Sequence, residues 1–208
     1  KNCFGDKIKV GGYAACGFYG IFGNPEKYGL DIEKREGKRY NSPKEDYRID
    51  FFFGFLEYIK EKGAPIDFFS WHTYGTVDVV SVEADFVDKV LCKYGYGNIE
   101  THLNEWNLSH DRKLNKGTSF ASANTMAMML EMQSKKTDML MYYDAKYADI
   151  GAYSGFFDVV TLEPSCVYYS FKAFGELYAL GNESECICDG DGIYAVSATD
   201  GERKALIV

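Results

Sequence analysis

No stretch of this 208-residue sequence approaches the roughly 20 consecutive apolar residues that a helix needs to cross a bilayer, so no membrane-spanning helix is expected. Positive charge is also scarce: 23 Lys and Arg stand against 31 Asp and Glu, without any basic run. Nucleic acids and anionic membranes are bound through basic patches, and neither is expected as a partner. The six cysteines, Cys3, Cys16, Cys92, Cys166, Cys186 and Cys188, form no pair of C-x-x-C motifs. The commonest zinc signature is therefore missing, and neither a metal nor another cofactor is expected. Cys92 and Cys166 fall inside helical patterns, where a free thiol behaves as a small buried hydrophobe. Cys186-Ile187-Cys188 has strand spacing that turns its thiols to opposite faces and disfavours a bridge between them. This usage leans toward a reducing, cytoplasmic compartment. A Gly-rich phosphate loop is absent as well; Gly11-Gly12 alone is too short a signal for a doubly wound nucleotide fold.

What is abundant is aromatic surface. With 17 Tyr and 15 Phe, the chain carries more rings than a core of this size ordinarily demands. Pyranose C–H faces stack on such rings while Tyr hydroxyls and Trp N–H groups bond sugar hydroxyls. The remaining balance, 46% hydrophobic and 26% charged, suffices for one sizeable core.

Four cycles of short apolar strand and amphipathic helix predict a parallel α/β fold. The strands are expected over Lys7 to Gly12, Ile66 to Trp71, Asn98 to Asn104 and Asp138 to Tyr143. Their helices are expected over Asp46 to Lys62, Val82 to Tyr94, Ser119 to Lys135 and Pro164 to Gly181, with Gly63, Gly95 and Gly181 as stops. The stripe of Met126, Met128, Met129, Leu130 and Met132 reads as helix-to-sheet packing, since Met fills irregular gaps. After Gly181 the pattern changes to two alternating runs, Ile193 to Ala198 and Lys204 to Val208, around a turn at Thr199-Asp200-Gly201-Glu202, which predicts a β-hairpin. The expected organisation is thus a parallel α/β domain over residues 1–181 and a hairpin of an appended sheet domain over 182–208.

In β/α barrels the reactive groups sit at the carboxyl ends of the strands. Here those positions hold Trp71-His72-Thr73-Tyr74, then Asn104-Glu105-Trp106-Asn107, then Tyr143-Asp144. Asp67-Phe68-Phe69-Ser70-Trp71-His72-Thr73-Tyr74, followed by Leu103-Asn104-Glu105-Trp106-Asn107, resembles the sixth and seventh strands of glycoside hydrolase family 39, which holds β-xylosidases and α-L-iduronidases. Lys9-Val10-Gly11-Gly12 resembles its fifth strand, with Tyr13 where Pro commonly stands. The resemblance implies the carboxy-terminal half of a (β/α)8 TIM barrel, strands five to eight, followed by the start of a β-sandwich.

It further implies a retaining hydrolase in which Glu105 is the nucleophile of a double displacement and Tyr74 donates a hydrogen bond to it. His72, on the side of Tyr74 by period two, would reach a sugar hydroxyl. Trp71 and Trp106 would stack on the substrate; Asn104, Asn107, Tyr143 and Asp144 would bind hydroxyls. The acid/base carboxyl, which the family carries in an Asn-Glu-Pro motif after strand four, has no counterpart here: Gly23-Asn24-Pro25-Glu26 has the wrong order and place. The opening Lys1-Asn2-Cys3-Phe4-Gly5 is that expected of a chain starting inside a longer protein. Taken alone, the 208 residues are expected to be inactive on a glycoside substrate, and their open sheet edges to need the remaining half of the barrel or a second copy. A non-catalytic carbohydrate-binding barrel would use the same rings.

Overall fold

The computed structural model describes residues 4–108, 117–145, 154–158 and 160–208; Cys3 and His110 lie outside them. Helix formation follows local chemistry. Pro43 opens α2 (Pro43–Lys62), Glu45 and Asp46 occupy its first turn, Lys60 and Lys62 its last, an order that suits the helix dipole. Gly63 ends it in the left-handed conformation, φ 57°, with its N–H on the Ile59 and Lys60 carbonyls. Helices α3 (Val77–Tyr94), α4 (Ser119–Glu131) and α5 (Cys166–Tyr178) follow, after a four-residue α1 (Gly20–Gly23). Thr118 caps α4, its Oγ1 accepting the Ala121 N–H at 3.2 Å.

Strands β1 (Gly11–Cys16), β2 (Phe68–Tyr74), β3 (Glu100–Asn107) and β4 (Met139–Tyr142) form one parallel sheet in that order. β1 lies parallel to β2, Gly11 opposite Phe68 and Cys16 opposite His72, with the register shifting between Tyr13 and Ala15. A Cβ on Gly11 would stand 2.2 Å from the Phe68 carbonyl oxygen, so the close approach of these strands needs glycine there. The two glycines expected to end the first strand therefore begin it. A second, antiparallel sheet holds β5 (Asn182–Ser184), β6 (Val196–Thr199) and β7 (Lys204–Ile207). The hairpin is present; β5 was not foreseen, because Asn182-Glu183-Ser184 shows no apolar alternation.

Two compact units share the chain: residues 1–73, 82–104 and 137–139 in one, residues 74–81, 105–136 and 140–208 in the other. In the first, the core is aromatic. Phe52 of α2 stacks on Phe69 of β2 with ring centres 4.6 Å apart, and Phe18 meets Phe52 at 5.0 Å, Phe86 at 5.5 Å and Trp71 at 6.3 Å. In the second, Met128, Met129, Leu130 and Met132 are all buried, as core packing of the methionine stripe requires. Ser122 of α4 and Ser170 of α5 share a hydrogen bond of 2.7 Å. Leu177 and Leu180 pack with Ala198, Val196 and Ile207 of the small sheet.

Cys92 and Cys166, expected to be buried, are exposed: Cys92 falls near the end of α3 and Cys166 begins α5. Cys186 and Cys188 stand outside any strand. All five described cysteines are free thiols.

Candidate functional site

Alternation along β2 separates core from accessible face. Phe69, Trp71 and Thr73 are buried on one face; on the other, Phe68, His72 and Tyr74 are half-buried and Ser70 is buried. Tyr74 closes the strand, and its hydroxyl donates to Glu105 Oε1 near the end of β3. A phenol and a carboxylate from neighbouring strand ends thus meet. The phenol fixes the carboxylate's rotamer, and its proton faces the oxygen that would carry charge.

The strand ends are also tied together by backbone. The Gly75 N–H donates to the Asn107 carbonyl at 3.2 Å and the Tyr143 N–H to the Trp106 carbonyl at 3.0 Å. Asn107 is sealed, 1% exposed, and its side-chain amide donates to the Tyr143 carbonyl at 2.8 Å and the Ser154 carbonyl at 3.1 Å. Both amide protons are therefore committed to backbone, and the hydroxyl-binding role expected of Asn107 gives way to a structural one. Tyr142 donates to the same Ser154 carbonyl at 2.5 Å. Burial pushes the Tyr142 phenol well above its ordinary range, so it stays a neutral donor there.

The two indoles also take core positions. Trp71 is 0% exposed and Trp106 1%; Trp106 meets Tyr142 edge-on at 4.9 Å and lies parallel to Phe171 at 6.5 Å. Neither offers an open ring face, so the stacking platforms expected of them are absent from this structure. An amphipathic indole in a strand-end motif reads the same in sequence whether it faces a ligand or a helix. Tyr143 is exposed, while Asp144, His72 and Asn104 are half-buried, and the Asn104 Oδ1 has no hydrogen-bond partner. His102, given no role from sequence, stacks on Phe68 with ring centres 4.4 Å apart and places Nε2 3.1 Å from Glu100 Oε2. It is a packed structural histidine. Ser154, which pattern reading missed, and Tyr142, a strand-end residue given no role of its own, support the site through contacts that no spacing encodes.

A polar cavity of about 810 Å³ opens in the connection after β1, lined by Asn24, Asp31, Tyr40, Asn41 and Asp46 among others; none of the expected site residues lines it. Among the described residues no group of three or more potential ligands could hold a metal ion, and no helix is long and apolar enough to cross a membrane.

Neither a family model nor a curated protein matches this sequence. Solved structures do. A glucosidase from Croceicoccus marinus is similar over 94% of this chain and 37% of its own, with a TM-score of 0.63 and 20% identity. A glycoside hydrolase family 39 β-xylosidase from Caulobacter crescentus is similar over 99% of this chain and 39% of its own, with a TM-score of 0.66 and 16% identity. A family 39 enzyme from Xanthomonas axonopodis pv. citri is similar over 99% and 38%, TM-score 0.66, with 14% identity. At these identities the likeness is one of fold: the chain has the architecture of part of a (β/α)8 barrel with a small antiparallel sheet. It spans less than two fifths of the length of the structures it matches.

Proposed function

We propose that this chain is part of a retaining, β-xylosidase-like glycoside hydrolase in which Glu105 is the nucleophile. The observation that carries the reading is the hydrogen bond from the Tyr74 hydroxyl to Glu105 Oε1 at neighbouring strand ends; the fold shared with family 39 enzymes supports it. Glu105 attacks the anomeric carbon, the glycosidic bond breaks, and water later cleaves the glycosyl ester. Tyr74 holds the attacking carboxylate in line. His72, two residues earlier on the same face of β2, and Asn104, Tyr143 and Asp144 contact sugar hydroxyls. Trp71, Trp106 and Asn107 support these positions from the core. The acid/base carboxyl comes from residues beyond these 208, in the rest of the barrel or a second copy, and residues 182–208 belong to an appended β-sandwich.

A fluorinated xylosyl donor with a dinitrophenolate leaving group tests this, because that group departs without protonation. Glu105 is expected to carry the sugar as an ester, found by peptide mapping, and Glu105→Gln to stay unlabelled. Tyr74→Phe should slow labelling by roughly 10- to 150-fold, the worth of a hydrogen bond to a charged group at about 1.5–3 kcal/mol. Label on another residue would refute the assignment; sugar binding without any label would point to the carbohydrate-binding barrel instead.

A further inference from the structure

In a chain whose net charge is −8, three lysines line one small pocket of the first unit, about 200 Å³ in volume. Lys27 and Tyr28 reach it from a 3-10 turn (Pro25–Tyr28) in the β1–α2 connection, and Lys89 and Lys93 from α3. Phe53 of α2 and Phe86 of α3 give it an apolar floor, and no carboxylate lines it. Its walls are fixed by contacts of their own. Tyr28 meets Phe86 edge-on at 6.0 Å and Phe53 at 6.5 Å. Gly29 ends the turn in the left-handed conformation, φ 64°, and its carbonyl accepts from Lys89 Nζ at 2.7 Å.

Two features of this pocket call for an acceptor. Lys89 and Lys93 stand four residues apart on α3, a spacing at which like charges repel. The carboxyl end of a helix favours cations, which accounts for these two lysines but not for Lys27, which comes from another element. Lys27 stands 3.7 Å from Asp46, Lys89 spends one of its three protons on Gly29, and Lys93 lies 5.9 Å from the Tyr94 ring centre, so protons remain for a ligand. The second feature is the Tyr28 hydroxyl, which is buried and has no hydrogen-bond partner. Burial raises this phenol, Lys27 opposes the shift, and Asp46 and Asp50 reinforce it. It therefore keeps a proton for which the protein supplies no acceptor.

One ligand meets both demands. A phosphate group offers several acceptor oxygens and up to two negative charges, and ammonium groups bind it as point charges. The apolar floor keeps water from one side, which strengthens the attraction. The pocket is smaller than the roughly 300–1,000 Å³ that drug-sized ligands occupy, so it suits a single tetrahedral group. We propose that this pocket binds a small oxyanion of the phosphate class, held by Lys27, Lys89 and Lys93 and by a hydrogen bond from the Tyr28 hydroxyl. The site is independent of the glycosidase reading.

Inorganic phosphate titrated into the 208-residue chain at constant ionic strength, followed by backbone amide NMR, tests it. Saturable shifts are expected at residues 27–29 and 86–93, half-complete at roughly 1–5 mM. Lys93→Gln should weaken binding roughly tenfold, and Lys93→Arg, which keeps the charge, should restore it. Tyr28→Phe should weaken binding roughly tenfold without lowering the urea midpoint, since the hydroxyl it removes has no partner in the fold. Glycerol 1-phosphate separates the sources: tighter binding than inorganic phosphate assigns the pocket to a phosphoryl group on a larger molecule, weaker binding to the free ion, and both uphold the site. No saturation by about 50 mM, shifts spread over lysines elsewhere, or undiminished affinity in Lys93→Gln overturns the proposal. Should that variant fail to fold, the wild-type map decides: saturation centred on residues 27–29 and 86–93 upholds the site, and saturation elsewhere refutes it.

Discussion

Asn107→Ala separates a ligand-binding amide from a structural one. The side chain donates at 2.8 Å to the Tyr143 carbonyl and at 3.1 Å to the Ser154 carbonyl, and it is 1% exposed. Each net hydrogen bond contributes about 0.5–1.5 kcal/mol, and a buried acceptor that loses its donor costs about 1–3 kcal/mol. The two carbonyls are not equivalent. Ser154 keeps a second donor, the Tyr142 hydroxyl at 2.5 Å, so its loss lies near the lower figure. Tyr143 is an exposed residue, and the sum of the two losses is about 1–3 kcal/mol. Urea unfolding followed by tryptophan fluorescence reads this directly, because Trp106 precedes the substituted residue. The midpoint should fall while the denaturant slope stays constant. Asn107→Asp should cost at least as much, since it aims an acceptor at two carbonyls. A loss below about 0.5 kcal/mol, typical of surface changes, would refute the structural role and return Asn107 to the list of substrate contacts.

Two further outcomes follow from the first unit. Glu83 holds its proton up to about 8 when folded, against 4.5 for a free glutamate side chain, so between these values the folded chain binds a proton that the unfolded chain has lost. Its stabilisation is complete below the unfolded value and disappears as pH rises through the folded one, at about 1.4 kcal/mol per pH unit and at most roughly 5 kcal/mol in all. The difference in melting temperature between wild type and Glu83→Gln, scanned across that window, should show this slope; parallel curves would contradict it. Phe52→Ala removes a fully buried ring that meets Phe18 at 5.0 Å and Phe69 at 4.6 Å, and should cost about 3–5 kcal/mol in the same urea titration.

Hydrophobic periodicity located the strands and helices because the alternation they need is local. Where the structure departs from that reading, a non-local contact is responsible. β1 runs past Gly12 to Cys16 since β2 approaches so closely at Phe68 that only glycine fits opposite; the sequence pattern shows two glycines and suggests a stop. α3 starts at Val77, five residues before its expected start. Val77, Val79 and Val80 are buried, and that burial overrides the weak helix propensity of a β-branched run. Asn107 could not be read as structural, because its partners Tyr143 and Ser154 stand 36 and 47 residues away.

The pairing of Tyr74 with Glu105 was expected from the family resemblance, and local alternation accounts for the face on which Tyr74 stands. Period two puts His72 and Tyr74 on one face and Trp71 and Thr73 on the other, so the same rule that exposes the chemistry buries the indole beside it. Trp71 therefore belongs to the layer that fixes the strand, against Phe18 at 6.3 Å. Shifting β2 by one residue would exchange those faces, sending an imidazole and a phenol into an aromatic core and an indole out of it. The cluster of Phe18, Phe52, Phe69 and Trp71 thus specifies the register of β2, and with it the face on which the Tyr74 hydroxyl emerges.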